Sequence, residues 1–409
     1  MLLTGCTPWQ SETRLSGESD GSVTLVFWKF RSNKEDYIID QWIDQWNREN
    51  PHAQVRAEYV PYSDYLSTSL ATAFATNSAP DIYMISAGSF LKYADAGFML
   101  PLDGYMSDAL KDDILPNRLQ AATEGGGILG MPIEIEPVGL YYNKELFSRH
   151  GLTPPKTWDE MLRYAALFDD QSMAGTVLPG QPNDYQNFIF YTFFLQAGGS
   201  FDFTRETLEE PLLKALTFWR ELSRYSQPSQ STIQIPSDIY PLATEEASMQ
   251  VCGYWAVRQL EKSFPDFPYG VVPVPAPEAG GENSVYGGWF MIVNPHSAHA
   301  AEAARFTVWM WGEAPERPLA WCREVSSKVP CRQSVLDVFS DSFSSPIDKV
   351  FLEDILPHAV PEPKLPPEIA KAFENAVQEA MFGSADLQAV AHHTTMEILK
   401  RHQERLQSK

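Results

Sequence analysis

At 409 residues, with 44% hydrophobic and 21% charged residues, the chain exceeds the size at which one hydrophobic core keeps growing, so two domains are expected. Its 31 Lys and Arg against 53 Asp and Glu leave a net charge of −22, which repels phosphate backbones and excludes nucleic acid as a partner. Four cysteines, Cys6, Cys252, Cys322 and Cys331, show no CxxC pair and no metal-ligand spacing, so no metal site, redox site or cofactor is expected.

Leu3-Thr4-Gly5-Cys6 reads as a lipobox, with Cys6 as the point of lipid attachment; Met1-Leu2-Leu3 is the apolar sequence before it, without a positive charge. Residues 7–22 are polar and rich in Ser, Gly and Glu, as a tether between a lipid anchor and a folded domain should be. No later run reaches the roughly 18 to 20 apolar residues of a membrane span, so anchoring would rest on Cys6.

Val23 to Trp28 is a short β-branched run that predicts a buried strand. Ile39, Trp42, Ile43 and Trp46 recur at helical spacing until Asn50-Pro51. Val55, Ala57 and Tyr59 alternate as a strand, Ser63 is placed to cap a helix carrying Leu66, Leu70 and Phe74, and Ile82 to Ile85 starts another strand. That β-α-β-α-β order predicts a parallel sheet covered by helices. Gly125-Gly126-Gly127 is a turn without the spacing or lysine of a phosphate loop. Met131 to Asn143 is extended and apolar, Thr157 with Glu160 forms a capping box, Phe188 to Leu195 reads as a buried helix, Val285 to Val293 is a strand, and the last forty residues form two amphipathic helices. His392-His393 is a surface pair. Cys322 and Cys331 form either a local disulfide or two free buried thiols.

The Trp-containing segment 23–30, FATNSAPDIYMIS at 74–86, GILGMPIEIEPVGLYYNKELF at 127–147, PPKTWDEM at 154–161, SMQVCGYWAV at 248–257, YGGWFMIVNPHS at 286–297 and SSKVPCRQSVL at 326–336 follow in order along the chain. Together they resemble the family 1 extracellular solute-binding proteins, the group that includes maltose-binding proteins. The resemblance implies an α/β, two-lobed periplasmic-binding-protein-like fold of type II, each lobe a mainly parallel sheet flanked by helices, with a hinge between them. The lobes it implies are 23–133 with 266–322 and 134–265 with 323–409. It further implies a monomer outside the cytoplasm that holds a small polar solute, a mono- or oligosaccharide, in the interlobe cleft and delivers it to an ABC permease.

Sugars present in-plane hydroxyls and apolar faces, so their sites pair flat rings with amides and carboxylates. Trp255, in Gly253-Tyr254-Trp255, and Trp289, after Gly287 and Gly288, match the family's aromatic positions. Glu136 matches its hinge carboxylate. Trp28 and Arg31 end the first strand and Ser86 with Ser89 ends the third, where open α/β sheets bind ligands. Gly88 stands where the maltose-binding pattern has a carboxylate. Tyr185, Asn187 and Arg332 complete the candidate contacts. Glu134, on the same strand face as Glu136, reads as a solvated strand-end charge. The alternatives are an exported glycoside hydrolase using the Glu134/Glu136 pair, a binder of glycerophosphodiesters or another polar solute, and a sensor with the same fold.

Overall fold

The computed structural model describes residues 22–170, 172–226, 237–281, 283–340 and 345–408; Cys6 and almost all of the tether lie outside them. The first sheet has the strand order Ala53–Val60, Val23–Phe30, Ile82–Ser86, Trp289–Val293, Met131–Pro132. Val23–Phe30 pairs in parallel with both of its neighbours, whereas Trp289–Val293 runs antiparallel to Ile82–Ser86 and to Met131–Pro132. The helix Asn33–Glu49 lays Ile39, Trp42, Ile43 and Trp46 on the sheet. It stops where Asn50 turns its N–H and its side-chain amide back onto the Trp46 carbonyl, at 2.8 and 3.0 Å. Gly125 and Gly126, both at positive φ, close the two-stranded hairpin of Thr123–Glu124 with Gly127–Ile128.

The second sheet is built round the long strand Glu134–Asn143, whose partners Met249–Gly253, Tyr269–Val272, Ser284–Gly287 and Val329–Pro330 all run antiparallel to it. Ser284–Gly287 pairs in parallel with Ala359–Pro361. The mainly parallel sheet expected for each lobe is therefore corrected in this half. The chain leaves the first core through Met131 to Asn143 and returns through Ser284 to Val293, and neighbouring strands with opposite directions of travel pair antiparallel. Residues 266–288 were expected with the first lobe, but Tyr269–Val272 and Ser284–Gly287 bond to the long strand, and the first core is rejoined at Trp289.

Around this sheet, Asp184–Gln196 is buried on all sides, as its nearly uninterrupted apolar sequence requires. Thr157 accepts a hydrogen bond from the Glu160 N–H at 3.2 Å and caps Trp158–Phe168, while the Glu160 carboxylate takes the Lys156 N–H at 2.8 Å. Ser63 is not a cap: Pro61 precedes the turn Tyr62–Asp64, and its fixed φ starts the helix two residues earlier. Cys252, Cys322 and Cys331 are free and buried. No helix among the described residues is long and apolar enough to cross a membrane.

Candidate functional site

Between the two cores lies a cavity of about 590 Å³, within the range of small-molecule sites. The first sheet contributes the ends of its strands: Phe30 at the end of Val23–Phe30 with Arg31 after it, Ser86 at the end of Ile82–Ser86 and Trp289 at the start of the returning strand. The second half contributes Glu136, Asp184, Tyr185, Phe188, Trp255 and Glu362, and Gly287 and Gly288 form the crossing between them. The rings are held by their own packing. Trp289 lies 4.5 Å from Phe30, tilted by 42°, and Trp255 lies 6.4 Å from Tyr185, edge-on at 61°. The Trp255 indole N–H donates to the Ser237 carbonyl at 3.0 Å, and its ring lies over Gly253, where a Cβ would collide with it.

Gly288 has a φ of 139°, and a Cβ there would strike the Glu134 carbonyl oxygen. Both observations account for glycine where one strand of the second sheet becomes a strand of the first.

Beneath the cavity runs a buried chain of charges. Lys328 Nζ lies 3.0 Å from Glu35, 3.0 Å from Glu136 and 3.9 Å from Glu134. Glu35 also meets Lys29 at 2.8 Å, and Lys29 meets Asp36 at 3.3 Å. Burial raises the Glu35 carboxyl, but Lys29 and Lys328 outweigh it and hold the pKa at about 2. Glu134 is driven the other way: burial dominates, Lys328 opposes it, Glu136 adds repulsion, and the pKa is pushed up to about 7. Burial likewise disfavours the Lys328 ammonium, yet Glu134, Glu136 and Glu35 reverse that effect and raise its pKa.

Eight of the sequence candidates meet in this cavity: Arg31, Ser86, Glu136, Tyr185, Trp255, Gly287, Gly288 and Trp289. Three do not. Trp28 gives its indole N–H to Glu58, its register partner on the neighbouring strand, at 2.6 Å. Asn187 donates to the Ala370 carbonyl at 3.0 Å, away from the cleft. Arg332 is engaged by Asp113 at 2.7 Å and by the Trp311 carbonyl at 3.2 Å. Glu134 is no solvated charge: it is fully buried and accepts from the Trp289 N–H at 2.9 Å and the Trp321 indole at 2.8 Å. A hydrolytic pair of Glu134 with Glu136 is therefore not formed toward the cavity.

Sequence reasoning missed Asp184, Lys328 and Glu362. Asp184 follows the cap residue Asn183 and spans the cleft, accepting from Ser86 at 3.0 Å and from Ser89. Its signal was the Asn-Asp pair before an apolar run. Glu362 sits among prolines and carries no local pattern. Among the described residues no group of three or more His, Cys, Asp or Glu is arranged for a metal.

A family model described as bacterial extracellular solute-binding protein matches residues 32–315. A binding protein of Brucella abortus is 24% identical over 352 residues, 84% of this chain and 84% of the relative. A maltotriose-binding protein of Pyrococcus abyssi is 25% identical over 71% of this chain and 62% of its own length. In fold, the chain resembles the ABC-transporter solute-binding protein of Thermotoga lettingae bound with α-D-tagatose, with a TM-score of 0.78 at 23% identity, over 93% of this chain and 99% of that one. This chain belongs to the bacterial extracellular solute-binding protein family.

Proposed function

We propose that the chain is the solute-binding component of an ABC importer and holds a mono- or oligosaccharide between its two halves. The observation that carries this reading is the cavity itself, in which the rings of Trp255, Trp289, Phe30 and Tyr185 accompany the carboxylates of Glu136, Asp184 and Glu362. Rings offer flat apolar surface to the faces of a pyranose, and carboxyl oxygens accept hydrogen bonds from its in-plane hydroxyls. The names of relatives agree, since one is a maltotriose-binding protein and one fold neighbour was solved with tagatose. In this reading the two lobes are residues 23–133 with 289–322, and 134–287 with 323–409, closing over the solute about the Gly287-Gly288 crossing. Cys6 would carry the lipid that keeps a monomer on the outer face of the cytoplasmic membrane, near its permease.

The test is calorimetry of the purified chain against mono- and oligosaccharides of differing linkage, with glycerophosphodiesters, amino acids and polyamines alongside. Saturable binding of a saccharide, weakened by Trp255→Ala, is the expected result. Binding restricted to a non-sugar solute would sink the reading.

A further inference from the structure

Two carboxylates converge on one end of the cavity. Glu362 follows the strand Ala359–Pro361 and is 6% exposed, and its Oε1 is buried without a hydrogen-bond partner. That oxygen lies 2.7 Å from the point a Cβ on Gly88 would occupy, and the Asp184 carboxyl carbon lies 3.5 Å from the same point. The side-chain space absent at Gly88 is thus shared by acids from two other elements.

Positive charge is short here. Glu35, Glu136, Asp184, Asp238 and Glu362 line the cavity against Arg31, Arg258 and Lys328. Lys328 is already shared by Glu35 and Glu136, and Arg258 is held by Glu261 at 2.6 Å and by the Arg323 carbonyl at 2.9 Å. Arg118 is within electrostatic reach of Glu362, but its guanidinium packs on the Tyr286 and Phe290 rings.

We propose that Asp184 and Glu362 form a subsite for a basic amine, so that the preferred saccharide carries an amino group. The inference rests on the saccharide reading above. An ammonium brings three donors to a place where Glu362 Oε1 has none, and its charge falls where the two carboxyl groups meet. A hard metal ion would need six or more oxygens, and the described residues hold no metal-binding group of three. Burial, and then the neighbouring Asp184, push the Glu362 carboxyl well above the usual carboxylate range, a strain that a bound cation relieves.

The experiment is isothermal titration of the full chain at pH 7 with β-1,4-linked glucosamine oligosaccharides, their N-acetylated forms and the matching glucose oligosaccharides. The amine form is expected to bind at least about tenfold more tightly than either neutral form. That ratio should fall to about one in Glu362→Gln and in Asp184→Asn, the second variant serving if the first does not fold. A neutral sugar that binds as well as the amine overturns the subsite and leaves the saccharide reading standing. An amine preference that survives in a folded variant also overturns it. If no saccharide binds, the underlying reading fails.

Discussion

Trp255 rests its ring on Gly253 and donates to the Ser237 carbonyl, so its face is fixed before any solute arrives. Aromatic anchors of this kind carry much of the energy of a binding site. Trp255→Ala is expected to weaken solute binding by about 2 kcal/mol, some thirtyfold, with Trp255→Phe intermediate; calorimetry reads both. Lys328 poses a question of stability. Lys328→Met leaves Glu35 and Glu136 buried without their shared cation, and removing one partner of a buried pair costs about 3–5 kcal/mol. A loss below about 1 kcal/mol in guanidinium unfolding would contradict the buried charge chain. Two of the shifted carboxyls, Glu35 and Glu134, pull stability in opposite directions with pH. Glu35 is depressed from 4.5 to about 2, so its contribution is whole above pH 4.5 and fades as pH falls toward 2. Glu134 is raised from 4.5 to about 7, so the folded form retains a proton that the unfolded form has lost, and stability declines as pH rises from 4.5 to 7. Glu134→Gln should flatten that decline in melting temperatures measured across this window.

At the scale of elements, Gly288 is where the two sheets exchange a strand. Gly288→Ala adds a left-handed strain and a collision with the Glu134 carbonyl, and a loss of at least about 3 kcal/mol is expected in denaturant unfolding. An alanine tolerated within about 0.5 kcal/mol would show that the crossing can move aside. The helices and strands themselves were legible where periodicity is strong. Ile39, Trp42, Ile43 and Trp46 point into the first core, and the apolar run 188–195 lies inside a buried helix. Strand direction was not legible, because an apolar run such as Ile135 to Tyr142 reads the same whichever way its partners travel. Site residues divided on similar lines. Trp255, Trp289 and Glu136 stand in ordered motifs and reach the cavity. Arg332 stands in one too, but Asp113, 219 residues away in sequence, claims it first. Glu362 has no pattern at all, since its role arises from a fold that brings residues 88 and 362 together.

For the molecule as a whole, the contacts across the cleft set the balance between open and closed forms. Asp184 of the second half accepts from Ser86 and Ser89 of the first, and Lys328 joins Glu35 to Glu136. Ligand shifts such a balance only through its different affinity for the two forms. The double variant Ser86→Ala with Ser89→Ala removes both hydroxyl donors, so the unliganded chain should open and its radius of gyration should rise in solution scattering. An unchanged radius would mean that the hydroxyls do not hold the halves together. The same variant should bind solute more weakly in proportion to the population of the closed form.

The two cavity tryptophans also carry an optical consequence. The chain has 11 Trp residues, and Trp219, Trp311 and Trp321 are sealed in the cores while Trp255 and Trp289 face the space a solute would fill. Trp255 and Trp289 are the indoles among the cavity-lining residues, so a change in emission on adding solute is expected first at these two rings. Single phenylalanine replacements at 255 and 289 would then assign the signal, giving a label-free readout of which end of the cavity each solute occupies.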